Sequence, residues 1–105
     1  MERILIPRFG DPAVLTRDDA PPVEPGAGEV RLDVDAVGVN FADVMIRMGL
    51  YPDAPDLPLV PGFEAAGRID AVGEGVDPDR VGESVVAVMR HGAYAESLIV
   101  PSDFA

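Results

Sequence analysis

From Glu29 to Val37 apolar and polar positions alternate almost throughout, with Val30, Leu32 and Val34 on one side and Glu29, Arg31, Asp33 and Asp35 on the other. A period of two is the mark of a strand with one buried face, so this segment predicts a half-buried strand. Glu2 to Pro7 predicts an earlier strand, and the Pro, Gly and Asp residues of Asp18 to Gly28 predict a loop that leads to the next one. At Asn40 the period changes. Phe41, Val44, Met45 and Met48 recur at helical spacing and Gly49 offers a left-handed stop, which predicts a helix of about two turns. Pro52, Pro55, Pro58 and Pro61 exclude helix interior and central strand beyond it, leaving an extended surface loop. Gly67 to Val72 predicts a short strand, Gly73 to Gly75 a turn, Ser84 to Met89 a nearly continuous apolar strand, and Ala93 to Val100 a last alternating strand that ends at Pro101. Short strands, Gly-rich turns and one or two short helices together predict a mainly β fold, a small and partly open β-barrel.

Length and composition act chiefly by exclusion. The chain has 105 residues, 48% apolar and 26% charged, the balance of a folded globular domain with room for one core, so residues 1–105 are expected to form a single domain. Its net charge is -11, from 19 acidic and 8 basic residues, and this repels nucleic-acid phosphates and anionic lipid surfaces. The expectation is no nucleic acid and no membrane partner. Cys is absent, which removes disulfides, thiolate metal sites and a cysteine nucleophile. The start MERILIPRFG lacks the apolar run of a leader peptide, and no span approaches the ~20 apolar residues of a membrane-crossing helix. A cytoplasmic location is the expectation.

Candidate chemistry gathers between Gly38 and Gly67. Asn40 followed by Asp43 has the spacing of a helix N-cap and its N3 partner, and equally presents a carboxamide that could face a ligand carboxamide or hydroxyl. Tyr51 follows the helix stop, where an aromatic covers a barrel end or lines a pocket mouth. Glu64 lies in the apolar run Pro61-Gly-Phe-Glu-Ala-Ala-Gly67, and a carboxylate buried there needs a partner such as Arg68 or Arg90. Gly73-Glu-Gly75 opens like a dinucleotide fingerprint, but Pro78 stands where its third Gly belongs and no helical period follows, so it reads as a tight turn. His91, the single histidine, sits at a turn and reads as solvated. No spacing of Ser, His and an acid identifies a catalytic residue.

Six motifs in order resemble the N-terminal part of medium-chain dehydrogenase/reductases: Gly38-Val-Asn-Phe-Ala-Asp43, Arg47-Met-Gly-Leu-Tyr51, Pro61-Gly-Phe-Glu-Ala-Ala-Gly67, Val72-Gly-Glu-Gly-Val76, Val81-Gly-Glu-Ser-Val85 and Gly92-Ala-Tyr-Ala-Glu96. The resemblance spans nearly the whole chain and is nearest to the zinc-independent quinone oxidoreductase branch, with its vesicle amine transport protein-like members. It implies a GroES-like catalytic domain that in the family precedes a Rossmann domain binding NADPH, which accounts for the missing phosphate loop. In the zinc-dependent alcohol dehydrogenases a Cys ligand stands at the position of Asn40 and a His ligand at that of Phe63. Neither residue here replaces a thiolate or an imidazole, so the resemblance implies no catalytic zinc.

In the quinone reductase-like branch the residues matching Asn40 and Tyr51 line the nicotinamide and substrate cleft, and both carry over as cofactor-binding candidates. A second Tyr found within the helix of some members is Met45 here. Asp43 and Glu64 match positions that help shape the cleft floor. The implied activity is hydride transfer from NADPH to a quinone or an α,β-unsaturated carbonyl, with the chain inactive alone. Two alternatives stand beside it: an enoyl-reductase module of a polyketide or fatty-acid synthase, and a non-enzymatic GroES-like binding or co-chaperonin-type protein.

Overall fold

The computed structural model describes residues 1–105. Six strands and one α-helix follow in the order β1 (Glu2–Leu5), β2 (Thr16–Asp19), β3 (Glu29–Val37), α1 (Phe41–Arg47), β4 (Glu64–Val72), β5 (Ser84–Val88) and β6 (Ser97–Pro101), with short 3-10 turns at Pro12–Val14, Pro78–Arg80 and Ser102–Phe104. β1 and β2 form a two-stranded antiparallel ribbon, and the other four form an antiparallel sheet in the order β5-β4-β3-β6. Bridges from Arg3 to Ala95 and from Ile6 to Leu59 tie the ribbon to the rest, giving a mainly β, partly open barrel. No helix is long and apolar enough to cross a membrane.

The alternation of β3 explains the larger core. Leu32 lies between Ile69 of β4 and Leu98 of β6, and Val30 between Val72 and Val100, so the inward side chains of three strands meet across the ladder. Val30, Leu32, Ile69, Ala87, Ala93, Leu98 and Val100 are buried together. Each large apolar side chain so removed from water contributes roughly 1.5–3 kcal/mol. Register shifts between Arg31 and Leu32 and between Val34 and Ala36 bend β3, and beyond the second the strand leaves the core, with Ala36 and Val37 exposed. On its outer face Arg31 pairs with Asp70 (2.8 Å) and Glu24 (3.1 Å), fastening the Pro-rich loop to the sheet.

Several elements differ from the sequence expectation. β2 is an unexpected strand, because Thr16-Arg-Asp-Asp19 has no apolar face; it pairs through charges, Arg3 with Asp18 (2.7 Å) and Arg17 with Glu2. β4 starts at Glu64 rather than Gly67. β5 is an edge strand whose Val86 and Val88 are exposed, so its apolar run does not mean burial on both faces. Only Ser97–Pro101 of the expected last strand is regular; the preceding Ala93–Glu96 is held by bonds to β1 and to Pro61. The proline loop is not wholly on the surface, since Leu59 and Pro61 are buried.

α1 turns a different face inward from the one its spacing suggests. Asp43 and Ile46 are buried, whereas Phe41 and Met48 are exposed. Ile46 joins Ile6 and Leu59 in a second, smaller core that Tyr51, Leu57 and Phe63 flank. Gly49 ends the helix at φ +77, as expected.

Gly67 is a packing requirement. It has ordinary backbone angles, but a Cβ there would overlap the Asp33 carbonyl in the β3–β4 pairing. Gly67→Ala should therefore destabilise the fold by about 1–3 kcal/mol, read as a lower midpoint in urea denaturation with an unchanged slope. An unchanged midpoint would show that β3 yields at no cost.

Candidate functional site

Asn40 is the N-cap of α1, with extended backbone angles (φ -119, ψ 156). Its own N–H donates to Asp43 Oδ2 at 2.9 Å, while the Asp43 N–H donates to the Asn40 carbonyl at 3.0 Å. Asp43 thus supplies the side-chain half of the cap. The Asn40 carboxamide lies against the Asp43 N–H as in a capping box, but falls short of a hydrogen bond to it. Asn40 is exposed, between Val39 and Phe41, which are 74% and 76% exposed. Asn40 thus serves the cap through its backbone N–H, and its carboxamide makes no hydrogen bond within the chain.

Tyr51 is half-buried. Its ring meets Phe63 edge-on, with centroids 6.0 Å apart at 64°, and packs against the smaller core, so the ring has a structural part. Of the two tyrosine hydroxyls only that of Tyr94 is hydrogen-bonded within the chain, which leaves the Tyr51 hydroxyl a free donor and acceptor. Asn40 and Tyr51 stand at opposite ends of α1.

Glu64 departs from expectation. It is exposed and pairs with neither Arg68 nor Arg90, because β4 already runs at this position and turns Ala65 inward and Glu64 outward. Its side chain lies over Gly38, where any Cβ would overlap it, and its carbonyl accepts the Gly38 N–H at 3.1 Å. His91 is exposed, as expected of a solvated turn residue. No three His, Cys, Asp or Glu side chains gather to hold a metal ion.

The residue that sequence reasoning underrated is Asp43, together with its partner Tyr94. Asp43 is only 6% exposed, and its Oδ2 accepts both the Asn40 N–H and the Tyr94 hydroxyl, the latter at 2.8 Å. Oδ1 has no partner, nor has the Nε of Arg47, and both residues line a cavity of about 110 Å³ with Ile6, Pro61 and Tyr94. Asp43 and Tyr94 are 51 positions apart, so no local spacing signals the pair. Tyr94 itself is set firmly: its N–H donates to the Pro61 carbonyl (2.9 Å) and its carbonyl accepts the Ile4 N–H (2.9 Å). Gly62, at φ +112, lies against the ring, and a Cβ there would sit 2.6 Å from Cδ1.

Burial, then the hydrogen bond to Asp43 and its charge, push the Tyr94 phenol well above its ordinary range. With the folded value above the unfolded one near 10, rising pH strips the proton from the unfolded chain first. The associated stability is fully present below about pH 10 and is lost as pH rises beyond it. Denaturation midpoints should fall between about pH 9 and about pH 11, and Tyr94→Phe should flatten that fall. The chain has no Lys to blur the signal. An identical slope in the Phe variant would refute the assignment.

Comparison with known proteins identifies the family of the chain. Residues 26–105 match the family described as the alcohol dehydrogenase GroES-like domain. The rat synaptic vesicle membrane protein VAT-1 homolog is 45% identical over 101 residues, 94% of this chain and 25% of that protein. A quinone oxidoreductase of Pseudomonas aeruginosa is 46% identical over 96 residues, 90% of this chain and 29% of that protein. The crystal structure of Escherichia coli quinone oxidoreductase complexed with NADPH superposes with a TM-score of 0.92 at 37% identity, covering 99% of this chain and 32% of that one. The chain thus spans about a quarter to a third of the length of these relatives.

Proposed function

The chain belongs to the alcohol dehydrogenase GroES-like domain family, on the zinc-independent quinone oxidoreductase branch of the medium-chain dehydrogenase/reductases, and from that premise we propose that it is the catalytic-domain portion of an NADPH-dependent oxidoreductase reducing a quinone or an α,β-unsaturated carbonyl. A Rossmann portion of the same polypeptide would bind most of the cofactor. The observation that carries this reading is the free Asn40 carboxamide at the mouth of α1, held by its backbone and flanked by exposed Val39 and Phe41. A polar group with donors and an acceptor, set in an uncovered apolar surface, has the character of half a binding cleft.

The residues fit such a cofactor. NADPH, when bound, supplies the hydride. Asn40 would hold the nicotinamide carboxamide or the acceptor oxygen, and the free hydroxyl of Tyr51 would contact cofactor or acceptor at the other end of the helix. The apolar neighbours would keep water from the transfer once the opposing domain is present. A zinc ion has no part in this reading, since Asn40 and Phe63 bring neither thiolate nor imidazole.

Two measurements test it. The isolated chain, incubated with NADPH and a benzoquinone, should show no turnover above the uncatalysed rate, and saturable reduction would contradict the need for a second domain. In the longer polypeptide, prolonged treatment with a metal chelator should leave the rate of NADPH oxidation unchanged, and a loss restored by zinc would overturn the metal-free reading.

A further inference from the structure

We propose that Asp43 and Tyr94 form a positioning pair for Asn40, holding its free carboxamide at a fixed place on the cleft wall; the inference rests on the reading of Asn40 given above. The apolar surroundings do not fix this corner, because Val39, Asn40 and Phe41 are all exposed. Before it, the chain is pinned at Gly38, whose N–H donates to the Glu64 carbonyl. After that point the hold on Asn40 is polar. Its N–H reaches Asp43 Oδ2, and the same oxygen takes the Tyr94 hydroxyl.

Tyr94 gives that oxygen a rigid reference. Its backbone is bonded to Ile4 and Pro61, and its ring rests on Gly62, so β1 and the end of the proline loop both define where the hydroxyl points. Through Asp43 this frame reaches the first turn of a seven-residue helix, too short to hold its own end by helical bonds alone. Loss of the hydroxyl leaves Oδ2 with the Asn40 N–H as its sole partner and Oδ1 with none. A buried carboxylate so short of donors will turn towards water or towards Arg47, and the cap moves with it. The role assigned to Tyr94 and Asp43 is to act through Asn40 rather than on cofactor or acceptor.

A double-mutant cycle in the longer polypeptide tests the pair, reading kcat/KM for NADPH with a benzoquinone acceptor and NADPH affinity by fluorescence titration. Asn40→Ala should lower one or both by about tenfold, and Tyr94→Phe by about three- to tenfold. In the Asn40→Ala background Tyr94→Phe should have no further kinetic or binding effect, although it should lower Tm by the same amount in both backgrounds. A merely structural Tyr94 gives additive losses instead, and that result overturns the positioning role while leaving Asn40 its own. An Asn40→Ala protein that matches the parent in both readouts overturns the cofactor-facing reading and the pair with it. Should Tyr94→Phe fail to fold, Asp43→Asn, which keeps the side chain's shape, supplies the same cycle with the same outcomes.

Discussion

A carboxylate taken out of water sets the geometry of this end of the molecule. Removing an ionised group such as Asp43 from solvent costs several kcal/mol after relaxation, and only good donors offset it. Two donors meet at Oδ2, one from the helix cap at Asn40 and one from Tyr94. Each places a demand on the chain behind it. The Tyr94 hydroxyl reaches Asp43 only if the ring lies over Gly62, and Gly62 has no side chain to obstruct it. The Asn40 N–H reaches it only if the helix starts where it does. The proline loop, the first strand and the helix therefore meet at one oxygen, and Ile6, Ile46 and Leu59 pack below in a core of modest size.

The main sheet depends on a different constraint and was largely legible beforehand. Leu32 and Val30 announce their burial by alternation, and a period of two survives translation into structure because neighbouring strands present the same period. The limits of that signal are equally physical. β2 carries Thr16, Arg17, Asp18 and Asp19, and its pairing with β1 uses ions rather than an apolar face, so hydropathy has nothing to report. At Glu64 an acid among apolar neighbours looks buried, yet strand geometry sends alternate side chains to opposite faces, and this one goes outward. In α1 two turns are too few for the period to single out a face, and the inward side includes a charged residue.

The candidate site divides along the same line. The cap at Asn40 is legible from its distance to Asp43, and the packing of Tyr51 at the end of the barrel from its place after Gly49, because both signals are local. The hydrogen bond between Asp43 and Tyr94 spans 51 positions and involves a tyrosine that looks, in sequence, like any aromatic near a last strand. Only the tertiary arrangement brings them together. At Asn40 the structure shows the cap on the backbone N–H and leaves the carboxamide without a hydrogen bond inside the chain.

The distribution of apolar surface completes the argument. Val39, Phe41, Met48 and Leu50 are exposed along and just beyond the helix, while Val37 and Val86 line one shallow hollow at the open edge of the sheet. Apolar side chains scattered singly need no explanation, but a concentration beside a free polar group does. On this molecule the firmly held atoms, Asp43 and Tyr94, lie behind the helix cap, and the uncovered ones lie in front of it. If the proposed function holds, a surface backed in this way would lose little ordering entropy on meeting an opposing domain and a cofactor. Rigid support behind an open face is therefore the physical form that the proposed function requires of this chain.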